Sequence, residues 1–487
     1  MEEKRELVNK AIEKDVYMGK IPVLTEERIY NFKGVSFTTA GIGVASWCYV
    51  QGGWMASVLP VNLAILACII PLLVVGLIML FITVIPTKLG VDNNIIMSTA
   101  FGTLLAKIIF IITILTGAGW YAINAKIFAT SFANLLSQLG YSMTDTALPW
   151  IATICLAIGV IFAIRGPQVV KISLYIMVPS LVGIGILLLI KTMMATSWEE
   201  LMSITPIYAD LYPSTKMAFL IMVEGMFAFG LCWYPLLGQF SRLADSRKSS
   251  YWGHAIGFLV AMAFFCIIGV LTATLMAARG IYSDNPTDWM ITTAGPIWGV
   301  LSLIAIALAN ISTQITGLYC WSLSTKTFWT KFNFKAIAYF WSAYCVVLVF
   351  WDGIWTYYNV FLAVIGLSCG MATAIVLADY FFVRKSKFSL RSIYQIKGNS
   401  AYKYTHGFNM VAVTAIIAGT IIYYMAYDPI NYVARNELLV LLTPTGTSGL
   451  VTFLVYIGLS KIPVINKYLT KDREEIASAE DRKLDVR

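Results

Sequence analysis

The sequence predicts an all-α integral membrane protein with twelve transmembrane helices, and three observations carry that reading. Of the 487 residues, 59% are hydrophobic and only 13% charged, against roughly 45–50% and 25% in a soluble domain. Mean hydropathy is +0.75; so few charges cannot cover so much apolar surface in water, which excludes a soluble globular enzyme. Apolar segments also recur at lengths near the roughly 20 residues that a spanning helix needs.

The spans fall at about 35–59, 61–86, 102–137, 148–166, 168–192, 216–241, 251–279, 296–325, 335–352, 356–383, 408–427 and 438–462. The charged first 33 residues lack the short apolar core of a signal peptide and read as a solvated tail. Spans 1, 6, 8 and 10 are interrupted by Gly, Pro, Ser, Thr, Asn or Gln. Helices facing lipid have no use for such residues, whereas helices lining a cavity do.

Orientation follows from the basic residues. Of the 35 Lys and Arg, Lys107 and Lys126 lie within span 3 and four (Lys191, Lys216, Arg279, Arg435) lie in one set of loops. The other 29 fall in the tails and the opposite loops, which puts both termini in the cytoplasm. Because the net charge of +9 is spread over seven cytoplasmic segments, it gives no reason to expect a nucleic-acid partner.

All eight cysteines lie inside apolar runs, where Cys behaves as a small hydrophobe, so no disulfide framework is expected. His254 and His406 are too few and too far apart for a metal centre. No nucleophile–base pair, phosphate loop or HExxH pattern points to an enzyme, and no cofactor is expected.

Two spans echo each other. Span 1 reads Gly41-Ile42-Gly43-Val44-Ala45-Ser46-Trp47-Cys48-Tyr49, then Gln51-Gly52-Gly53; span 6 reads Glu224-Gly225-Met226-Phe227-Ala228-Phe229-Gly230-Leu231-Cys232-Trp233-Tyr234-Pro235, then Gly238-Gln239. Each carries glycines and a mid-membrane Trp. They stand five spans apart, an odd number, so the second copy is inverted. That pattern marks an inverted-repeat transporter with broken helices around a central site.

Candidate site residues follow. Trp120 and Asn124 on span 3 are four apart and share a helical face. Together they offer a flat aromatic surface and an amide edge, which suit a planar heterocycle bearing carbonyl and N–H groups. The plainer alternative is helix packing, with Asn124 bonding a neighbouring backbone. Span 8 holds Ala309-Asn310-Ile311-Ser312-Thr313-Gln314-Ile315-Thr316-Gly317, a polar stretch near the bilayer midplane. Its hydroxyls and carbonyls suit a sodium ion beside an unwound span 1. Alternatively they bond their own backbone one turn back; two adjacent hydroxyls cannot both do so along one face. Glu224 and Lys126 are costly in a membrane, at about 2.5–3.5 kcal/mol for a central charge, and a Glu224–Lys126 pair is one arrangement open to them. Lys107 and Asp379 lie near cytoplasmic ends, where side chains reach for the interface.

These residues resemble a known family. Asp379-Tyr380-Phe381-Phe382-Val383-Arg384-Lys385, with Tyr394, Lys397-Gly398, Tyr404, Gly407 and Asn409, is similar to the segment after span 10 in the nucleobase:cation symporter-1 family. Gly166, Lys171 and Pro179 fit its spacing between spans 4 and 5, and Trp120 with Asn124 fits its Trp-x-x-x-Gln/Asn. Trp233-Tyr234-Pro235-Leu236, then Gln239-Phe240-Ser241-Arg242, resembles its span 6 pattern. The family takes up cytosine, purines, allantoin, hydantoins and thiamine precursors.

The resemblance implies a LeuT-like five-plus-five inverted repeat with two additional helices. It divides the chain into a cytoplasmic tail (1–34), repeat 1 (35–192), repeat 2 (216–384), a cytoplasmic loop (385–407), spans 11 and 12 (408–465) and a C-terminal tail (466–487). It further implies that Trp120 and Trp233 sandwich the ligand ring while Asn124 bonds its edge, with Phe229 as a rival to Trp233. Ser46, Gln314 and Thr316 complete the ligand set. Ala309, Ser312 and Thr313, with carbonyls near Gly41 and Val44, match its sodium pattern. Gln239 stands where the family usually has Asp, which leaves Glu224 and Gln239 as the coupling candidates; Leu318 stands where some members have a ligand-binding Asn, for which Gln314 or Thr316 is the substitute.

The expected function is import of a nucleobase or related planar heterocycle by sodium symport, across the cell membrane, by a monomer. The alternatives are proton coupling, a same-fold importer of another small solute such as an amino acid, and a channel or receptor. A channel would show continuous polar lining and unsaturable flux; a receptor would bind without flux.

Overall fold

The computed structural model describes residues 22–283, 285–351, 353–394, 400–431 and 433–472. Residues 1–21 and 473–487 of the expected tails (1–34 and 466–487), and the Lys397-Gly398 motif, lie outside them. Helices occupy all twelve expected positions. Span 2 is Val61–Leu89, span 3 Thr103–Gln138, span 4 Leu148–Ala163, span 5 Pro167–Ala195, span 8 Pro296–Phe328 and span 9 Phe334–Val349. Span 7 runs from Arg247–His254 through a π-helical turn to Ala261–Ala278. Span 10 is Tyr358–Leu377 with a second such turn to Val383, span 11 Met410–Ala426 and span 12 Pro444–Ser460. Among the described residues, eight helical stretches are each long and apolar enough to cross a membrane; spans 1, 9, 11 and 12 are shorter or broken.

Helix starts follow local chemistry. Pro167, Pro296 and Pro444 open their helices, where a missing N–H costs nothing. Asn31, Ser214, Asn333 and Asn409 cap others through side-chain oxygens. Beyond span 11, hydrogen bonds from Asn431 and an ion pair to Arg435 at 2.7 Å hold the Asp428 carboxyl down at about 2. Large apolar side chains such as Leu73, Leu77, Ile172 and Ile421 project outward, which lipid tolerates and water does not.

Spans 1 and 6 are broken, as their glycines predict. Span 1 consists of Phe32–Gly43 and Ser46–Val58, interrupted at Val44 and Ala45. Span 6 consists of Thr215–Leu231 and Tyr234–Ser241, interrupted at Cys232 and Trp233. Span 1 lies against span 7 through small residues, which let two backbones approach. A Cβ on Gly52 would stand 2.0 Å from the Cys266 carbonyl oxygen, and one on Gly257 2.1 Å from that of Ser36. Gly52→Ala must therefore push the helices apart, and we expect it to destabilise the detergent-solubilised protein by about 1–3 kcal/mol. Gly183→Ala, with nothing within 4 Å of the added carbon, is the matched control and should unfold as the parent does.

Two charge assignments change. Asp379 does not reach for the interface: it is fully buried, with Oδ2 accepting from Arg384 Nε at 2.7 Å and Oδ1 from Tyr456 at 2.9 Å. Two opposite charges in contact can be withdrawn from water where one alone cannot. Glu224 takes Thr445, not Lys126, as its partner: its oxygens accept from the Thr445 N–H at 3.0 Å and Oγ1 at 2.5 Å.

Candidate functional site

The span 1 break faces span 8, with Gly41 before it and Ser46 after it both in contact with that helix. Thr313 Oγ1 crosses to the Gly41 carbonyl at 3.4 Å, whereas Ser312 Oγ bonds back to the Ala309 carbonyl at 2.7 Å. Thr316 Oγ1 bonds the Ser312 carbonyl at 2.9 Å. The adjacent hydroxyls thus diverge, one following its own helix and the other reaching span 1. Gly41, Val44, Ala309, Ser312 and Thr313 are all buried. Hydroxyl and carbonyl oxygens are the donor set a hard monovalent cation takes. Among the described residues, no group of three His, Cys, Asp or Glu is placed to hold a metal ion.

An aromatic cluster fills the centre. Trp47, directly after the span 1 break, lies 4.7 Å centroid to centroid from Trp233 and 5.8 Å from Trp120. Trp120 also meets Phe229 at 5.2 Å and Tyr358 at 5.1 Å. Trp120 and Trp233 therefore do not face each other across an open slot, because Trp47 packs against both. The cavity that Trp120 and Trp233 share with Cys232, Pro235 and Trp321 measures only about 20 Å³, enough for one water. A heterocycle enters only if these rings move. Trp47 was missed as a site residue, although its match to the span 6 Trp was the available signal.

Polar groups flank the rings. Ser46 Oγ lies between Asn124 Oδ1, at 2.7 Å, and Asn310 Oδ1. A hydroxyl has one proton, so one of those oxygens is left wanting. Asn124 Nδ2 donates to the Trp120 carbonyl at 3.2 Å, and Gln314 Nε2 donates to the Tyr121 carbonyl at 2.7 Å. Asn310, fully buried, is the second residue missed; it belonged to the polar stretch of span 8 but matched no pattern. Trp120 Nε1, Trp233 Nε1, Asn310 Nδ2 and Gln314 Oε1 are buried with no hydrogen-bond partner, although buried polar groups are nearly always paired.

Gln239 stands apart from this centre. Its Nε2 donates to Ser324 Oγ at 2.7 Å, which also accepts from Asn94 Nδ2 at 2.8 Å. Ser324 is roughly two turns along span 8 from Thr316.

Comparison with known proteins agrees with this architecture. The chain is 23% identical over 430 residues to the purine-uracil permease NCS1 of Arabidopsis thaliana, covering 82% of this chain and 69% of that one. It is 26% identical over 189 residues to the allantoin permease of Bacillus subtilis (strain 168), which is 38% of each chain. Among solved structures it resembles Mhp1, a nucleobase-cation-symport-1 family transporter in a closed conformation with bromovinylhydantoin bound. The TM-score is 0.73 at 17% identity, covering 93% of this chain and 95% of that one. That likeness gives the fold, and the expected LeuT-like inverted repeat with two additional helices is consistent with it. The model of permeases for cytosine/purines, uracil, thiamine and allantoin matches residues 28–443, and the chain belongs to that family.

Proposed function

We propose that this permease imports a nucleobase or related planar heterocycle by symport with sodium. The observation that carries the reading is the set of unpartnered polar atoms among the central rings. Two indole N–H groups and an amide NH₂ want acceptors, and one amide oxygen wants a donor. A ring bearing carbonyls and an N–H supplies both, while Trp120 and Trp233 or Phe229 supply its stacking faces. The solutes for which the family is described and the bromovinylhydantoin bound by Mhp1 support the same class of solute. Ser46, Asn124, Gln314 and Thr316 are the residues assigned to its edge.

Sodium is assigned to the carbonyls of Gly41, Val44 and Ala309 with the hydroxyls of Ser312 and Thr313. The support is the Thr313–Gly41 contact, which ties span 8 to the half of span 1 ahead of its break. An ion there favours the arrangement in which both broken helices close on the ligand, and rocking of one bundle against the other gives alternating access. The inward direction follows from coupling to a sodium gradient that runs into the cell, and the basic-residue bias supports cytoplasmic termini in the cell membrane. No feature of the site requires a second copy.

Uptake by proteoliposomes carrying an imposed sodium gradient tests this reading. At least one base, hydantoin or ureide should accumulate with sodium and not with choline. Thr313→Ala should raise the half-saturating sodium concentration by roughly tenfold, about 1.4 kcal/mol for one lost oxygen ligand. Sodium-independent uptake by the parent protein would refute the coupling.

A further inference from the structure

Outside the central rings lies a second chamber. It measures about 40 Å³ and is lined by Gln51, Trp54, Glu224, Asn359, Tyr423 and Tyr427, from spans 1, 6, 10 and 11 and the strand after span 11. That is room for roughly three water-sized groups and none for a heterocycle. Its inner wall adjoins the ligand region: Gln51 Oε1 accepts from Tyr358 Oη at 3.1 Å, and the Tyr358 ring packs on Trp120.

Two polar groups in this chamber are unusual. Glu224 is 4% exposed and has no ion-pair partner among the described residues; it is held by neutral groups, the N–H and Oγ1 of Thr445 with the Thr443 hydroxyl beside them. Thr445 is in the first turn of the 17-residue span 12, whose N-terminus offers roughly half a positive charge. That leaves a buried carboxylate incompletely neutralised, which is costly. Tyr423 is 1% exposed, and its hydroxyl has no hydrogen-bond partner. The other titratable groups around Glu224 are Tyr212 and Tyr427. Lys216, at the start of span 6, pairs with Glu437 at 4.0 Å, and both are exposed.

We propose that this chamber is a second cation site, distinct from the Thr313 site, in which the Glu224 carboxylate, Tyr423 Oη and one or two waters hold a monovalent ion. One carboxylate with neutral oxygens suits a single charge, whereas divalent calcium takes six to eight oxygens. A cation here neutralises Glu224 and gives Tyr423 the partner it lacks. It also joins spans 6 and 11, and through Thr445 span 12, above the ligand region. This links the two added helices to the transport cycle and makes ion stoichiometry a property of the outer chamber.

The test is the thermal stability of the purified full chain titrated with sodium chloride, choline chloride holding ionic strength constant. Thr313→Ala should leave a residual sodium-dependent stabilisation. Adding Glu224→Gln to it should abolish that residue, and adding Tyr423→Phe, which leaves the Glu224–Thr445 contact intact, should raise its half-saturating sodium roughly fivefold. Complete loss of sodium dependence in Thr313→Ala alone would overturn the proposal. So would titrations of Tyr423→Phe that superimpose on those of the parent. Failure of the first site shows instead as a Thr313→Ala titration identical to the parent's, so the two assignments fail separately.

Discussion

Replacing Trp120 by alanine is expected to abolish high-affinity uptake, and replacing Trp233 by alanine to do nearly the same. Each loses a ring face that would cover the ligand, about 1.5–3 kcal/mol of burial with ~0.5–1.5 kcal/mol of aromatic pairing besides. Affinity should therefore fall by roughly two orders of magnitude. These side chains also pack against Trp47, Phe229 and Tyr358, so truncation also costs the protein stability, by about 3–5 kcal/mol for a core Trp. Trp120→Phe separates the two effects, because it keeps a stacking face. It should recover most of the affinity, and size-exclusion profiles should show all variants folded. Phe229→Ala decides between the two span 6 aromatics. If it loses ligand while Trp233→Ala does not, the ring rests against Phe229, and Trp233 only supports Trp47.

Arg384→Gln is expected to cost as much stability as truncation of a central Trp, without touching the ligand region. The guanidinium is fully buried and donates to Asp379, to Asp472, to Tyr404 Oη and to the carbonyls of Thr99 and Leu469. Tyr402 Oη donates to Asp472 at 2.8 Å, and Tyr404 Oη to the Thr99 carbonyl at 2.6 Å. One side chain thus ties the end of span 10, the following loop, the segment before span 3 and the end of the described chain. Removing it strands two buried carboxylates, a loss of about 3–5 kcal/mol, read as a fall in the thermal midpoint and in solubilised yield. Arg384→Lys should recover only part, since an ammonium cannot reproduce the planar fork. Ligand affinity of whatever folds should be unchanged, because the hub is not among the central rings.

The architecture was legible because its signals are coarse. Hydropathy located the helices, and glycines in spans 1 and 6 marked both breaks, at Val44–Ala45 and Cys232–Trp233. Ser312 and Thr313 were read as a pair that could not both bond backward, and they do diverge. Spacing along one helix cannot say what lies opposite. Trp120 and Trp233 were expected to face each other, but Trp47 packs against both. A Glu224–Lys126 pair is one arrangement the sequence leaves open, but Glu224 meets the first turn of span 12, 221 residues away. Asp379 was expected at the interface because its position along the span said so; its partner five residues on holds it inside. Asn310 carried no pattern and was found only through its contact with Ser46.

The most direct test of sodium-coupled heterocycle transport is ligand affinity of the purified protein, with sodium replaced by choline at fixed ionic strength and at two pH values. A thermal-shift screen of about twenty bases, hydantoins and ureides first identifies the ligand, since whatever binds the folded state stabilises it by mass action. The account predicts that sodium raises the affinity for that ligand, that the ligand raises the affinity for sodium by the same factor, and that Thr313→Ala weakens both. Affinity unchanged without sodium but falling tenfold from pH 6 to pH 8 would contradict it, and would make a proton the coupling ion.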